Sequence, residues 1–200
     1  MTALDASITR PLQGGPSFDR KNRIVRILWS VTWFLFASWT PPQFRSWRRF
    51  LLRSFGAKVA DTADVYSSVK IWLPSNLEMA EYAGLGPRVN CYCMDKIVLE
   101  PYASVSQGAF LCAGSHQVDD PNFQLVTKPI VIEEGAWVAA EAFVGPGVRI
   151  GKWAVLGARG VAFSDLHPST IYVGNPARPI RKRIVQSRSE LNTTSDPPHR

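Results

Sequence analysis

Hydrophobic residues recur every six positions through the middle of the chain, and no other feature restricts its fold as much. An α-helix repeats every 3.6 residues and a strand alternates every two, so neither produces this period. Small residues follow each large one at a fixed distance of four, which argues against a chance alignment. The clearest run has Ile132, Val138, Val144, Ile150 and Leu156 at the large position and Ala136, Ala142, Val148, Ala154 and Gly160 at the small one.

A period of six predicts a β-helix, in which each hexad forms one short strand and three hexads close a triangular coil. Residues three hexads apart, such as Ile132 and Ile150, then stack directly on one another. The same spacing extends towards the N-terminus, clearly at Leu99, Val105 and Leu111 and less regularly at Val59, Val65, Ile71, Leu77 and Val89.

The repeat breaks once, after the segment LCAGSH that ends at His116. Leu111 and Ile132 are 21 positions apart, so either 3 or 15 residues leave the coil while register is kept. Residues 117–129 are polar and contain two prolines, which favours the longer excursion. A long loop that begins beside an outward-facing histidine predicts the wall of a pocket.

The N-terminal segment, residues 1–58, is basic: ten Lys or Arg against two Asp give +8, whereas the whole chain carries +7. Residues 24–39 are apolar but too short to predict a membrane span. Residues 44–57 mix aromatic residues with arginines at helical spacing. Two readings stay open for residues 24–57: a helix lying on a membrane surface, or a helical cap over the open end of the β-helix with its arginines in solvent.

The remaining composition excludes several classes of function. The three cysteines, Cys91, Cys93 and Cys112, lack metal-binding or redox spacing and predict free thiols in a reducing cytosol. We expect no metal. A γ-type carbonic anhydrase needs three converging histidines, and the coils hold one. No nucleic-acid-binding motif accompanies the basic charge, so we expect no nucleic-acid partner.

The coils, together with FLLRSFGAKV before them, GSH at residues 114–116 and GNPAR at residues 174–178, resemble the hexapeptide-repeat acyltransferases over about residues 57–183. Within that family, the layout is similar to the acetyltransferases of colanic-acid and related exopolysaccharide synthesis. The resemblance implies an all-β fold, a left-handed parallel β-helix of residues 59–176 with a loop at 117–129. An N-terminal helical or irregular arm (1–58) precedes it, and a basic C-terminal segment (177–200) follows as a short helix or tail, disordered from residue 186.

The resemblance further implies a homotrimer with active sites between subunits. The implied reaction moves an acetyl group from acetyl-CoA to a sugar hydroxyl, on a lipid-linked or nucleotide-linked glycan. Such an enzyme is expected in the cytoplasm, or peripherally on the inner membrane face. An N-acetyltransferase acting on an amino sugar and a non-catalytic β-helix scaffold are the alternatives.

In relatives, a histidine at the position of His116 is the general base that takes the proton of the acceptor hydroxyl. Asn90 and Asp95 belong to a segment similar to the acceptor-orienting one of the family. Asp95, Asp119 and Asp120 are weaker candidates for aligning the imidazole. Cys112 is not expected to act as a nucleophile, because direct transfer needs no acyl-enzyme.

The resemblance also implies a binding surface for acetyl-CoA. Trp137 matches the family tryptophan that packs on the pantetheine arm, and Ala139 and Ala140 follow where main-chain N–H groups meet the thioester oxygen. Ala158 stands one strict coil beyond Ala140 and would offer hydrogen bonds to pantetheine amides. Arg178 and Arg181 would hold the CoA phosphates. Ser164 and Asp165 stand where relatives carry Lys-Asp, so one phosphate contact is missing unless Arg159 or the tail supplies it.

Overall fold

The computed structural model describes residues 3–184, most of which form a left-handed parallel β-helix. The tail predicted to be disordered from residue 186 lies outside the described residues. Five coils each place one strand on each of three faces, A, B and C. In chain order these strands are β1 (Lys58–Val59), β2 (Asp64–Val65), β3 (Lys70–Ile71), β4 (Leu77–Met79), β5 (Gly84–Leu85), β6 (Asn90–Tyr92), β7 (Ile97–Leu99), β8 (Ser104–Val105), β9 (Phe110–Cys112), the inserted pair β10 (Gly114–His116) and β11 (Leu125–Thr127), then β12 (Ile130–Ile132), β13 (Trp137–Val138), β14 (Phe143–Val144), β15 (Arg149–Ile150), β16 (Val155–Leu156) and β17 (Val161–Ala162).

The predicted stacking is confirmed where the repeat is strict. Ile132 pairs with Ile150 across face A, and both side chains are fully buried. The small positions are buried as well, Ala136 and Ala154 among them. Burying a side chain such as Ile contributes about 1.5–3 kcal/mol. The repeat therefore persists because each coil adds one layer to a continuous apolar interior.

The two earliest coils are longer than the strict repeat, so the assignment of the large position to Leu77 and Val89 is wrong. Val59 pairs with Met79, and Ile71 pairs with Cys91. Leu77 is also buried, which is why the sequence pattern could not distinguish it from Met79.

All departures from the strict repeat lie at the edge of the prism where face C turns into face A. A 3₁₀ turn at Pro74–Asn76 lengthens this corner in the first coil, and β10 and β11 occupy it between coils 3 and 4. Leu111 pairs with Val144, the large position that follows the insertion on face C, and register is kept. The longer of the two predicted excursions is therefore the one that occurs.

Three helices precede the coils: α1 (Ala6–Thr9), α2 (Arg20–Phe36) and α3 (Arg45–Ser54). The side chain of Asp19 caps the start of α2 by accepting from the amide of Asn22 at 2.7 Å. One stripe of α2 is buried against the first coil through Trp29 and Trp33, which lie one turn apart.

Side chains of these helices cap the open end of the β-helix. Main-chain N–H groups of each coil donate to carbonyls of the next, as Ala60 does to Met79 at 2.8 Å. The carbonyls of the first coil consequently have no preceding coil to serve them. Four carbonyls in the equivalent positions accept from side chains instead: Val59 from Arg53 at 2.6 Å, Ala63 from Arg49 at 3.0 Å, Val65 from Arg48 at 2.7 Å and Ile71 from Trp29 at 2.7 Å.

The cap is therefore present, but the expectation that its arginines are simply solvated is wrong. Arg48 is only 1% exposed, and it also donates to Thr40 Oγ1 at 3.0 Å and to the carbonyls of Pro41 and Pro42. Burial lowers the pKa of its guanidinium, with Asp64 acting in the opposite direction. Fixed guanidinium N–H groups replace the missing coil as hydrogen-bond donors.

On the side that faces away from the coils, α2, α3 and the turn between them expose a group of apolar side chains. We call it the outer apolar face; it comprises Ile24, Ile27, Leu28, Val31, Phe34, Leu35, Phe36, Trp39, Trp47 and Phe50. Trp47 links the two helices by donating to the carbonyl of Phe36 at 2.8 Å, and within α3 it stacks on Phe50. Among residues 3–184, no helix combines the length and hydropathy that crossing a bilayer requires.

A β-hairpin ends the described chain, in place of a short C-terminal helix. The sixth coil adds β18 (Thr170–Val173) to face B, and β19 (Arg178–Lys182) returns antiparallel to it. The peptide bond between Asn175 and Pro176 in the connecting turn is cis. The segment GNPAR is thus the turn of this hairpin.

The capping role of Arg48 predicts a specific loss of stability. Arg48→Met keeps much of the side-chain volume but removes the guanidinium donor from the buried carbonyl of Val65 and the buried hydroxyl of Thr40. We expect the free energy of unfolding in urea to fall by roughly 2–4 kcal/mol, given a cost of about 1–3 kcal/mol for each unsatisfied group. Arg20→Met, on the exposed start of α2, serves as the control and should change it by less than about 0.5 kcal/mol. Equal stability of the two variants would contradict the cap.

Candidate active site

The insertion between coils 3 and 4 carries His116 on a small antiparallel hairpin. Strand β10 pairs with β11, so that Gly114 faces Thr127 and His116 faces Leu125. Gly114 allows a close approach to coil 2: a Cβ at this position would lie 2.3 Å from the sulfur of Met94, so the Met94 side chain would have to move. Consequently His116 projects from a paired strand and not from an irregular loop.

The imidazole of His116 is held in one orientation by Phe123. Nδ1 lies 2.8 Å from the carbonyl oxygen of Phe123, and the two rings stack with centroids 4.3 Å apart. A carbonyl can only accept, so in the neutral ring the proton is on Nδ1 and Nε2 carries the free lone pair. This is the tautomer in which Nε2 can act as a base.

Among residues 3–184, no carboxylate is hydrogen-bonded to the His116 ring, contrary to the expectation for Asp95, Asp119 and Asp120. Asp95 accepts from Thr127 Oγ1 at 3.1 Å and from the amide of Lys96 at 2.7 Å, and so ties the base of the hairpin to coil 2. Asp120 accepts from the amide of Asn122 within the turn. The alignment was invisible in the sequence because a main-chain carbonyl has no residue signature.

His116 lines a cleft that we call the histidine cleft, with a volume of about 450 Å³. The N-terminal arm forms its opposite wall. Gln124 of the hairpin accepts from the amide of Ala6 at 2.7 Å and donates to the carbonyl of Leu4, so the hairpin is joined to a segment far away in the sequence. The lining consists of Gly14, Gly15, Pro16, Ser17, Phe18, Arg23, Arg26, Trp72, Tyr92, Met94, His116 and Leu125.

Asn90 lies in a second, adjoining cleft between α2 and face C, which we call the aromatic groove. This groove has a volume of about 510 Å³ and includes Trp29, Trp33 and Phe34 of α2. It shares Arg26, Trp72 and Tyr92 with the histidine cleft. Asn90 and His116 are therefore on neighbouring surfaces and do not line one cleft together.

Most of the residues expected to bind acetyl-CoA meet in a third cleft, on face B. This tryptophan cleft, of about 610 Å³, contains Trp137, Ala139, Ala140, Ala158 and Arg181. The indole of Trp137 is 43% exposed and is fixed by donation from Nε1 to Ser106 Oγ at 2.8 Å. Its flat surface is therefore available to a ligand.

Ala139 and Ala140 differ in whether their main-chain N–H groups are available to a ligand. Ala139 is buried and donates to the carbonyl of Leu156 at 2.9 Å, so its N–H is not free for a ligand. Within residues 3–184, the N–H groups of Ala140 and Ala158 have no such bond. Ala140 and Ala158 occupy the same corner of successive coils. Of Ala139 and Ala140, it is therefore Ala140 whose N–H is available to a ligand.

The basic residues at the C-terminal hairpin differ in whether they line the tryptophan cleft. Arg181 lines the tryptophan cleft together with Arg183, whereas Arg178 does not. Arg183 is anchored by donating to the carbonyls of Gly135 and Trp153 at 3.1 and 3.2 Å. Arg159 forms an ion pair with Glu141 at 2.6 Å. Arg159 is thus already paired, whereas Arg181 and Arg183 border the cleft.

Two further kinds of chemistry, a reactive cysteine and a metal site, find no support among the described residues. Burial raises the pKa of the Cys112 thiol, and the thiol donates to the carbonyl of Gly114 at 3.2 Å, so the thiolate form is disfavoured. All three cysteines are free, as predicted. In the described part of the chain, no three His, Cys, Asp or Glu side chains are grouped to hold a metal ion.

Comparisons with known proteins agree on one family. A putative colanic acid biosynthesis acetyltransferase, WcaF, of Escherichia coli (strain K12) is 38% identical over 178 residues, which cover 89% of this chain and 94% of that protein. Among solved structures, a maltose O-acetyltransferase from Clostridium difficile 630 matches with a TM-score of 0.74 and 22% identity, over 84% of this chain and 90% of its own. A hexapeptide-repeat acetyltransferase from Vibrio cholerae, complexed with acetyl coenzyme A, matches with a TM-score of 0.73 and 20% identity, over 86% and 96%. No protein-family model matches the chain.

The geometry of His116 predicts its tautomer. In alkaline solution, where imidazoles are neutral, nitrogen NMR should find His116 protonated at Nδ1 and unprotonated at Nε2. The exposed ring of His167 provides a comparison in the same spectrum, and His116→Gln assigns the signal. A proton on Nε2 would show that the Phe123 carbonyl does not hold the ring.

Proposed function

Because the chain belongs to the hexapeptide-repeat acetyltransferases, we propose that it transfers an acetyl group from acetyl-CoA to a sugar hydroxyl in the synthesis of an exopolysaccharide or other cell-surface glycan. The observation that carries this proposal is the orientation of His116. Its Nδ1 is occupied by the Phe123 carbonyl, and the ring lines a cleft of a size suited to a sugar.

His116 acts as the general base in this proposal. Nε2 removes the proton of the acceptor hydroxyl as the hydroxyl oxygen bonds to the acetyl carbon and the carbon–sulfur bond breaks. The imidazolium then returns the proton to the departing sulfur. The bound thioester supplies the acetyl group, and no residue of the chain is acylated. Such a base contributes about 10²–10⁴-fold to the rate.

The tryptophan cleft is the proposed site for acetyl-CoA. The indole of Trp137 offers an apolar surface to the pantetheine arm, and the N–H of Ala140 can meet negative charge that develops on the thioester oxygen. The N–H of Ala158 can bond a pantetheine amide one coil further on. Arg181 and Arg183 supply positive charge at the C-terminal end of the cleft, suited to phosphate.

The two clefts support a homotrimer with active sites between subunits. In one chain, His116 projects from the edge between faces C and A, whereas Trp137 lies on face B. They line separate clefts, although transfer requires the base and the thioester at one point. When face B of one copy packs against the edge between faces C and A of another, Trp137 of the first copy approaches His116 of the second. Threefold symmetry then closes the assembly.

The first test is turnover of acetyl-CoA with hydroxylated and amino sugar acceptors, followed by release of the free thiol. His116→Ala should lower kcat by about 10²–10⁴-fold, since only the base is removed. Cys112→Ala is the control and should leave kcat within about twofold, because no acyl-enzyme forms. Undiminished turnover by His116→Ala would overturn the mechanism, and acetylation of amines alone would replace the hydroxyl acceptor.

Mixing variants tests the shared site within the same assay. His116→Ala and Trp137→Ala homotrimers should each be weak, the second through a raised KM for acetyl-CoA. After joint refolding, random assembly restores roughly a quarter of the interfaces to an intact pair, and activity should return to that extent. Failure to recover activity in mixed trimers would place both residues in one subunit's site.

We further propose that the outer apolar face rests on the surface of the inner membrane, with the chain otherwise in the cytoplasm. Phe34 and Trp39 are each 70% exposed on this face, and the segment that bears it carries a net charge of +8. Apolar side chains beside basic ones favour an anionic lipid interface.

Sedimentation with vesicles tests this contact. The protein should pellet with vesicles that contain phosphatidylglycerol and much less with neutral ones, and Phe34→Ser combined with Trp39→Ser should abolish the binding. Val118→Ser combined with Phe163→Ser, which removes equally exposed apolar side chains elsewhere, is the control. If the first pair instead changes the oligomeric state and no vesicle binds, the face covers another copy of the chain.

A further inference from the structure

The histidine cleft is strongly basic, which a neutral sugar does not require. Arg23 and Arg26, one turn apart on α2, both contribute to its lining, and none of its lining residues is acidic. Within residues 3–184, neither arginine forms an ion pair. By contrast, the arginines of the cap donate hydrogen bonds to carbonyls of the first coil.

Arg26 is held in place but not neutralised. Its Nε donates to Asn22 Oδ1 at 2.8 Å, and its guanidinium lies 4.4 Å from the ring centroid of Trp72. Burial lowers the pKa of Arg26, while Tyr92 opposes that effect. A guanidinium that is partly buried, stacked on an indole and without a carboxylate is well prepared for an anion, since its terminal N–H groups form a planar fork.

The position of Arg26 relates the anion to the acceptor. Arg26, Trp72 and Tyr92 line both the histidine cleft and the aromatic groove, so the charge lies where the two meet. On one side is His116, and on the other is a groove bordered by Trp29, Trp33 and Phe34. Phe34 also belongs to the outer apolar face, which connects the groove to that face.

We propose that the acceptor is a phosphate ester of a sugar, with its phosphate or diphosphate bound by Arg23 and Arg26. The sugar occupies the histidine cleft, and the group beyond the phosphate occupies the aromatic groove. This inference rests on the proposed function, because it places the sugar hydroxyl at His116. The lipid-linked and nucleotide-linked acceptors implied by the resemblance both carry such a phosphate; the inference adds the residues that bind it and the groove that receives the group beyond it.

Two kinds of molecule share this chemistry, and the assay distinguishes them. A lipid-linked sugar would place an isoprenoid chain in the groove, and a nucleotide sugar would place a base there. We would compare one sugar in four forms: free, as its 1-phosphate, as a short-chain prenyl diphosphate ester and as a nucleoside diphosphate ester. Wild-type kcat/KM should rise at least about tenfold from the free sugar to the phosphorylated forms. The better of the two diphosphate esters identifies the source.

Arg26→Gln provides the decisive comparison. It should lower kcat/KM for the phosphorylated acceptors by roughly 10- to 100-fold, as expected for a lost charge-assisted hydrogen bond, and leave the free sugar within about threefold. Arg23→Gln should act in the same direction. Arg20→Gln removes an equal charge from the same helix but outside both clefts. It should leave kcat/KM unchanged for both the free and the phosphorylated sugar. Equal losses with free and phosphorylated sugar would mean that Arg26 only supports the fold, and would overturn the proposal.

Binding of inorganic pyrophosphate, measured by calorimetry on the intact protein, tests the anion site without turnover. Binding that is weakened at least tenfold by Arg26→Gln and not by His116→Ala supports the site even if the acetyl-transfer assay fails. Absence of pyrophosphate binding to a wild type that acetylates free sugar through His116 would leave the proposed function intact and remove this inference.

Discussion

The ladder of main-chain hydrogen bonds between coils is the constraint on which this structure depends. Each coil donates to strand carbonyls of the next, so these carbonyls have main-chain donors in the later coils and lack them in the first. The N-terminal helices solve this problem chemically, with Arg48, Arg49, Arg53 and Trp29 donating to the carbonyls that a preceding coil would have served. Once those side chains face inward, the apolar residues on the opposite side of the helices remain exposed.

The same ladder limits where a site can form. Side chains fill the interior, and the main-chain N–H and carbonyl groups of the strands bond to neighbouring coils. Ligands can therefore bind only at the corners and edges. At one corner, the N–H groups of Ala140 and Ala158 are free because the chain turns away from the ladder there. At the edge between faces C and A, the coil tolerates extra residues, and the hairpin that carries His116 occupies that edge. The proposed donor site and acceptor site thus use different irregularities of one regular prism.

Much of the fold could be predicted from the spacing of residues, and rather less of the site. The pairing of Ile132 with Ile150 and the length of the insertion follow from counting. The longer early coils do not, because Leu77 and Met79 are both buried and a period read from hydrophobicity cannot choose between them. His116 was found by its place beside the insertion. Its partner, the Phe123 carbonyl, was not, since main-chain groups are the same in every residue.

By itself, the sequence determined that the chain folds into stacked coils, because inward-facing side chains must recur with the coil, and that one histidine stands beside the single long break. Only the tertiary structure decided what the N-terminal arginines do. Arg48 and Arg26 look alike in the sequence, yet Arg48 is buried and donates to the Val65 carbonyl of the first coil, whereas Arg26 lines a cleft with His116. Composition records a charge, whereas its role depends on which acceptors the fold brings within hydrogen-bonding distance.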